Sequence, residues 1–373
     1  MMASTADQSL ANALCRRLGI RYPVFGLAHS IEVAAAISNA GGLGVYAAAR
    51  DGPNELAQKL RDLRALCPDV PVGVDLLLPT TLPGVSTPED VSAAIPEGHR
   101  RFVDGLFERF AVPPATAGNF FSQYVRSQAL FEEQVAAVAE SEVEVFAAGV
   151  GTPADTIARV RRAGKTTMAL VGAVKHARKA IAAGVDVLVA QGYDAGGHTG
   201  TIGTFTLVPQ IIAAAEGRPV LAAGGIGEGS QIAAALAMGA QGAWLGTVWL
   251  GSAEHRLPAA LTERLLAAGS EDTVITRAHS GKPCRVVRSA FSDAWAAADA
   301  PAPLDMPYQQ ALTGRLLAAV EEHGIAPLMY EAAGQSVAWV KEVEPVARIM
   351  DRLVRQTRQS LECLRPYLPP AGK

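Results

Sequence analysis

Cysteine is scarce and scattered: the four in 373 residues, Cys15, Cys67, Cys284 and Cys363, form no CxxC pair. That spacing argues against the compact thiolate sets that hold zinc or iron–sulfur clusters. It suits a reducing compartment, so a cytoplasmic location is expected. Neither sign of charge dominates, with 33 Lys and Arg against 36 Asp and Glu and a formal net charge of −3. Nothing electrostatic therefore points to nucleic acid. No apolar run approaches the about 18 residues of a membrane-spanning helix, so no membrane partner is expected. The start, MMASTADQSL, lacks the basic and apolar regions of a signal peptide. Several catalytic signatures are missing as well. There is no G-x-S-x-G nucleophile elbow, no H-E-x-x-H zinc helix, no P-loop and no paired carboxylates of the glycosidase kind.

What the chain does have is hydrophobic residues, at 49%, and a rhythm. Eight short apolar segments read as strands: Tyr22–Gly26, Gly42–Tyr46, Val72–Leu77, Val143–Ala147, Thr167–Val171, Val185–Ala190, Pro219–Ala223 and Ala243–Gly246. Ala- and Leu-rich stretches with helical spacing separate them, among them Ile31–Asn39, Glu55–Leu66, Asp155–Ala163, Lys175–Ala183 and Gln231–Met238. Alternation of this kind implies parallel β-α units. The predicted fold class is α/β, a (β/α)8 TIM barrel, with an open doubly wound sheet as the alternative. Ala40-Gly41-Gly42, Ala163-Gly164, Ala183-Gly184 and Met238-Gly239-Ala240 each read as a helix terminator that opens the next strand.

The barrel is expected over residues 1–78 and 129–250. Residues 79–128, rich in proline, interrupt the rhythm as an insertion, and residues 251–373 read as mainly helical with a proline-broken piece at Pro301–Pro307. A loop that long inside a compact domain usually has a function. Both pieces are expected to cover the catalytic face as a lid, the C-terminal one also closing the barrel. Peripheral or oligomer-forming decoration is the alternative, and a homodimer is left open.

The most informative stretch is VDVLVAQGYDAGGHTG, Val185 to Gly200. It is a buried strand running into a loop whose glycines, Gly192, Gly196, Gly197 and Gly200, remove side-chain bulk and let backbone approach a flat ligand. His198 stands alone in that loop, placed for proton transfer or for holding an anion. Later, Ala223-Gly224-Gly225-Ile226-Gly227 and Leu245-Gly246-Thr247 follow the seventh and eighth strands, where such barrels commonly hold a phosphate. Packed glycine N–H groups and a following helix form an anion nest, and Thr247 adds a hydroxyl. Charged residues expected at strand ends are Asp75, Asp194 and Lys175. A planar, phosphate-bearing cofactor that carries the hard chemistry is the economical reading. FMN and PLP both fit, and FMN is favoured because no predicted strand carries a lysine for a Schiff base.

These blocks resemble the nitronate monooxygenase (2-nitropropane dioxygenase) family, which is related to flavin-dependent enoyl-carrier-protein reductases and NADH:quinone reductases. The likeness rests on SNAGGLGVY (Ser38–Tyr46), VGVDL (Val72–Leu76), QGYDAGGHTG (Gln191–Gly200), TFTLVPQ (Thr204–Gln210), the run Pro219–Thr247, SGKPCRVVRSAF (Ser280–Phe291), PYQQ and AAGQS. It implies that His198 sits beside the reactive edge of FMN. It also implies that Gln191, Gly192, Gly196 and Gly197 line the ring, that Gly26 and Leu27 contact it through backbone, and that Ala223, Gly224, Gly225, Gly246 and Thr247 hold the phosphate. Two departures stand out. Asp75 occupies a place where the family typically has Asn. Gly26-Leu27-Ala28-His29 replaces a Gln-Ala-Pro-Met type segment, so His29 either enters the site or lies on the surface before the next helix. The remaining histidines, His99, His176, His255, His279 and His323, show no supporting pattern and read as solvated or structural.

The implied reaction is O2-dependent oxidation of an alkyl nitronate to a carbonyl compound and nitrite, with His198 as hydrogen-bond donor, or as base toward a neutral nitroalkane. A reductase of an enoyl thioester (CoA or carrier protein) or of a quinone, with NAD(P)H as co-substrate, is a second expectation. A flavin-binding protein without catalysis is a third.

Overall fold

A computed structural model of the chain describes residues 10–78, 88–116, 118–121 and 127–367. Eight parallel strands close on themselves: β1 (Val24–Ala28), β2 (Leu43–Ala47), β3 (Val72–Leu77), β4 (Val145–Gly149), β5 (Thr166–Val171), β6 (Val187–Gln191), β8 (Val220–Ala223) and β9 (Ala243–Leu245). The last pairs with the first, Val24 opposite Ala243. Closure excludes the open sheet. It leaves every barrel strand buried on both faces, which is why these segments read as continuous apolar runs.

Alternate side chains divide between two cores. Phe25, Val45, Val145, Met168, Val189 and Leu221 fill the barrel interior, in the layered manner of this architecture. Val24, Val74, Phe146, Leu188 and Ala243 point outward against the surrounding helices. One contact fixes a helix closely: a Cβ built at Gly44 would lie 1.9 Å from the carbonyl oxygen of Ala34, in the helix Ile31–Asn39. Gly44→Ala must push that helix off β2. A loss of about 3 kcal/mol is expected, at the upper end for overpacking, read as a lower urea midpoint. The four helix-ending glycines, Gly41, Gly164, Gly184 and Gly239, have φ of 98°, 81°, 85° and 99°, the left-handed geometry the sequence implied.

The two irregular regions share a separate core. Val103, Leu106 and Phe121 from the insertion pack with Leu265, Phe291, Trp295 and Leu316 from the C-terminal region. Within the insertion, residues 79–87, 117 and 122–126 lie outside the described residues; the described part contains the helices Pro88–Ala93 and Glu97–Arg109. The long helix Val346–Leu364 instead joins the barrel's outer core through Ile349, Met350 and Leu353.

One element was not expected. Gly197–His198 forms a short strand, β7, paired antiparallel to β11 (Cys284–Val287), which in turn pairs with β10 (Thr273–Thr276). Residues 251–367 are mainly helical, as expected, but they also contain a hairpin docked on the His198 loop. Among the described residues, no helix is long and apolar enough to cross a membrane.

Candidate active site

Two cavities with common walls open at the C-terminal ends of the barrel strands. A narrow one of about 110 Å³ lies among the loops after β6, β8 and β9. A broad cleft of about 1020 Å³ lies above the barrel, bounded by the insertion and the C-terminal region. Leu27, Gln191, Gly196 and Gly197 border both.

The narrow cavity is walled by Ala223, Gly224, Gly225, Gly246 and Thr247, as the sequence suggested. Gly224 and Gly225 have φ of 102° and 70°, so the chain turns sharply and presents backbone to the cavity. Among the described residues, the N–H groups of Gly225 and Ile226 have no protein acceptor. The next two N–H groups, of Gly227 and Glu228, donate to Gln231 Oε1 at 2.9 and 3.1 Å. A Cβ built at Gly246 would meet nothing within 4 Å, so its place is open space. Thr247 Oγ1 accepts the Gly334 N–H at 2.9 Å, which leaves its own proton to donate.

His198 reaches the broad cleft from β7. Its carbonyl accepts from Gln191 Nε2 at 3.1 Å, and its ring Nε2 lies 2.8 Å from Ser280 Oγ. Ser280 stands in the loop between β10 and β11, so the strand pairing Cys284 opposite His198 brings the two together. Asp75 points into the barrel mouth, 4% exposed, and its Oδ1 lacks a partner among the described residues. Burial raises its pKa well above the usual carboxylate value. Burial thereby favours the neutral acid, which has a proton to give, over the carboxylate, which can only accept.

His29 borders both cavities while keeping solvent-exposed surface just before the helix Ile31–Asn39. It lies 6.4 Å, centroid to centroid, from His255, which enters the same space. Burial, then the positive charge of Arg50, pushes His29 down to about 4, and burial lowers His255 as well. Both rings are neutral near pH 7. Glu331, pushed up to about 7 by burial, and Arg50, lying 4.0 Å over the ring of Phe120, also border the cleft.

Some expected residues lie elsewhere. Gly26 borders neither cavity; a Cβ there would strike Ile37 and Trp249 at 2.5 and 2.7 Å. Gly192 likewise makes room for Thr204, 2.2 Å from its virtual Cβ. Asp194 accepts the Thr204 N–H at 2.8 Å, at the start of the helix Thr204–Ala214, and Lys175 is exposed in the first turn of the helix Val174–Ala182. His279 is not solvated: it is fully buried, with its ring centroid 4.1 Å from that of Tyr330. His176 and His255, read as solvated or structural, both border the cleft. Sequence reasoning assigned nothing to Ser280, Arg50 or Glu331. The SGKP block carried the only signal, for Ser280 alone.

Comparison with known proteins identifies the family and the fold. The sequence profile described as nitronate monooxygenase matches residues 13–356. A Mycobacterium tuberculosis protein, named provisionally as a monooxygenase, is 37% identical over 95% of this chain and 96% of its own. The crystal structure of nitroalkane oxidase from Streptomyces ansochromogenes superposes with a TM-score of 0.80 at 30% identity, over 95% of this chain and 100% of that one. FabK from Thermotoga maritima gives a TM-score of 0.75 at 27% identity, over 96% and 99%. The chain therefore belongs to the nitronate monooxygenase family and is an oxidoreductase.

Proposed function

We propose that the chain is an FMN-dependent enzyme that oxidises alkyl nitronates to carbonyl compounds and nitrite with dioxygen. The observation that carries the reading is the continuity of the two cavities: an anion-ready glycine cradle opens into a cleft where one histidine is fixed by a serine. The residues fit FMN. Free N–H groups at Gly225 and Ile226, the missing side chain at Gly246 and the Thr247 hydroxyl suit a phosphate. Leu27, Leu170, Gly196 and Gly197 offer an apolar, bulk-free wall to a ring, with Gln191 and neutral Asp75 as its hydrogen-bonding groups. When bound, FMN supplies the electron-transfer chemistry between a nitronate and dioxygen.

The chain's own residues bind and orient. His198 donates a hydrogen bond to a nitronate oxygen, or takes the proton from the carbon of a neutral nitroalkane. Ser280 holds the imidazole by its Nε2. Losing one such hydrogen bond, worth about 1 kcal/mol, is expected to make Ser280→Ala about fivefold slower in nitrite release while FMN affinity stays unchanged. The insertion and C-terminal region form the lid, whose Phe120 and Tyr330 wall the cleft and limit water.

A second reading is favoured by one feature. About 1020 Å³ is far more room than a small nitronate fills, and it suits an enoyl thioester or quinone reduced at the expense of NAD(P)H. Anaerobic titration of the FMN-loaded protein separates the two. Bleaching by ethyl nitronate, with nitrite formed once air is admitted, is the expected result. Rapid bleaching by NADH or NADPH with no response to nitronate overturns the reading in favour of the reductase.

A further inference from the structure

The upper inward-facing layer of the barrel is almost entirely apolar, with Leu27, Ala147, Leu170 and Ala223 on β1, β4, β5 and β8. Asp75 on β3 and Gln191 on β6 are the polar side chains that share this mouth. The Gln191 amide nitrogen is committed to the His198 carbonyl. Asp75 Oδ1 is buried and, among the described residues, has no partner. The strands on either side place Ala47 and Ala147 in register with it, and a Cβ built at Gly149 would lie 3.8 and 3.9 Å from its two oxygens. Among the described residues, no cation pairs with it. Arg50 after β2, His29 after β1, His176 and Lys179 on the helix after β5, His198 on β7, and His255, Lys282 and Glu331 from the C-terminal region all face the same cleft. Burial raises the proton affinity of Asp75.

We propose that Asp75 serves the bound flavin as a neutral carboxylic acid, donating a hydrogen bond to an acceptor atom of the ring from the end of β3. This rests on the FMN reading of the site and deepens it. An ionised carboxylate there could only accept and would stand uncompensated among alanines and glycine. The proton on Asp75 lets a carboxyl group do what an amide would do. It follows that cofactor affinity depends on that proton. If the complex holds Asp75 protonated, affinity is constant while the free protein is protonated and falls as pH rises through the free protein's own ionisation.

Infrared difference spectroscopy of FMN-loaded against FMN-free protein at pH 8 tests the proposal without turnover. The expected result is a protonated-acid C=O band that shifts to lower frequency on loading, responds to D2O and vanishes in Asp75→Asn. Asp75→Asn, which donates from an amide at the same position, is expected to bind FMN within about threefold of wild type; Asp75→Leu, which cannot donate, about tenfold more weakly. A carboxylate stretch that disappears in Asp75→Asn, in place of the acid band, overturns the donor role while FMN binding persists. Failure of wild type and Asp75→Asn alike to bind FMN overturns the flavin reading, and the donor role with it.

Discussion

His198→Asn is expected to keep FMN bound and to lose turnover by about 10²–10⁴-fold, the usual contribution of a positioned acid–base group. Asparagine has a side chain of similar reach at its polar end and keeps the backbone pairing of β7 with β11, so the loop survives. The phosphate cradle lies on other turns, after β8 and β9, and is untouched. What is lost is the ring nitrogen that exchanges a proton. The amide can still donate one hydrogen bond, so a nitronate, already deprotonated, should suffer less than a neutral nitroalkane. Steady-state nitrite release with both substrates, beside the visible spectrum of the purified variant, measures this. A variant that turns over either substrate within threefold of wild type removes His198 from the chemistry.

Gly246→Leu is expected to give a folded, colourless protein. Gly246 has φ −121°, a value that side chains tolerate, and its virtual Cβ meets nothing within 4 Å. The substitution therefore strains no backbone and pushes no neighbour; it grows into the narrow cavity of about 110 Å³. A leucine there occupies the space read as the phosphate seat. FMN affinity should fall by about 100-fold or more, equivalent to about 3 kcal/mol, with the circular dichroism of the apoprotein unchanged. Gly224→Ala is a less clean probe, because φ of 102° and a Cβ 2.8 Å from Thr204 Oγ1 add strain of their own. A yellow Gly246→Leu protein would move the phosphate out of this cradle.

The barrel was legible because each strand is a short apolar run bounded by glycine turns, and eight such runs leave little choice of topology. Strand ends were less so. β1 runs two residues further than its composition suggested, because Leu27 and Ala28 find ladder partners in Val45 and Tyr46. Pairing, not composition, decides where a strand stops. The three-stranded sheet was invisible for a related reason: β7 has two residues, too few to show a period, and its partner Arg285 is far along the chain. Ser280, Arg50, His255 and Glu331 came to the cleft from loops without a repeating pattern. Gly26 and Gly192 show the opposite error. A missing side chain reads the same whether the space is for a ligand or for Ile37 and Thr204, and only packing separates the two.

The β7–β11 pairing has a consequence for biosynthesis. A nascent chain that has left the ribosome through Thr247 already possesses every barrel strand and both glycine turns. It does not yet possess residues 273–287, so His198 has no strand to lie against and Ser280 is absent. Thr247 also still awaits Gly334. On the function proposed above, the half-made protein can begin to form the cofactor seat before the imidazole of His198 is set against its strand and serine.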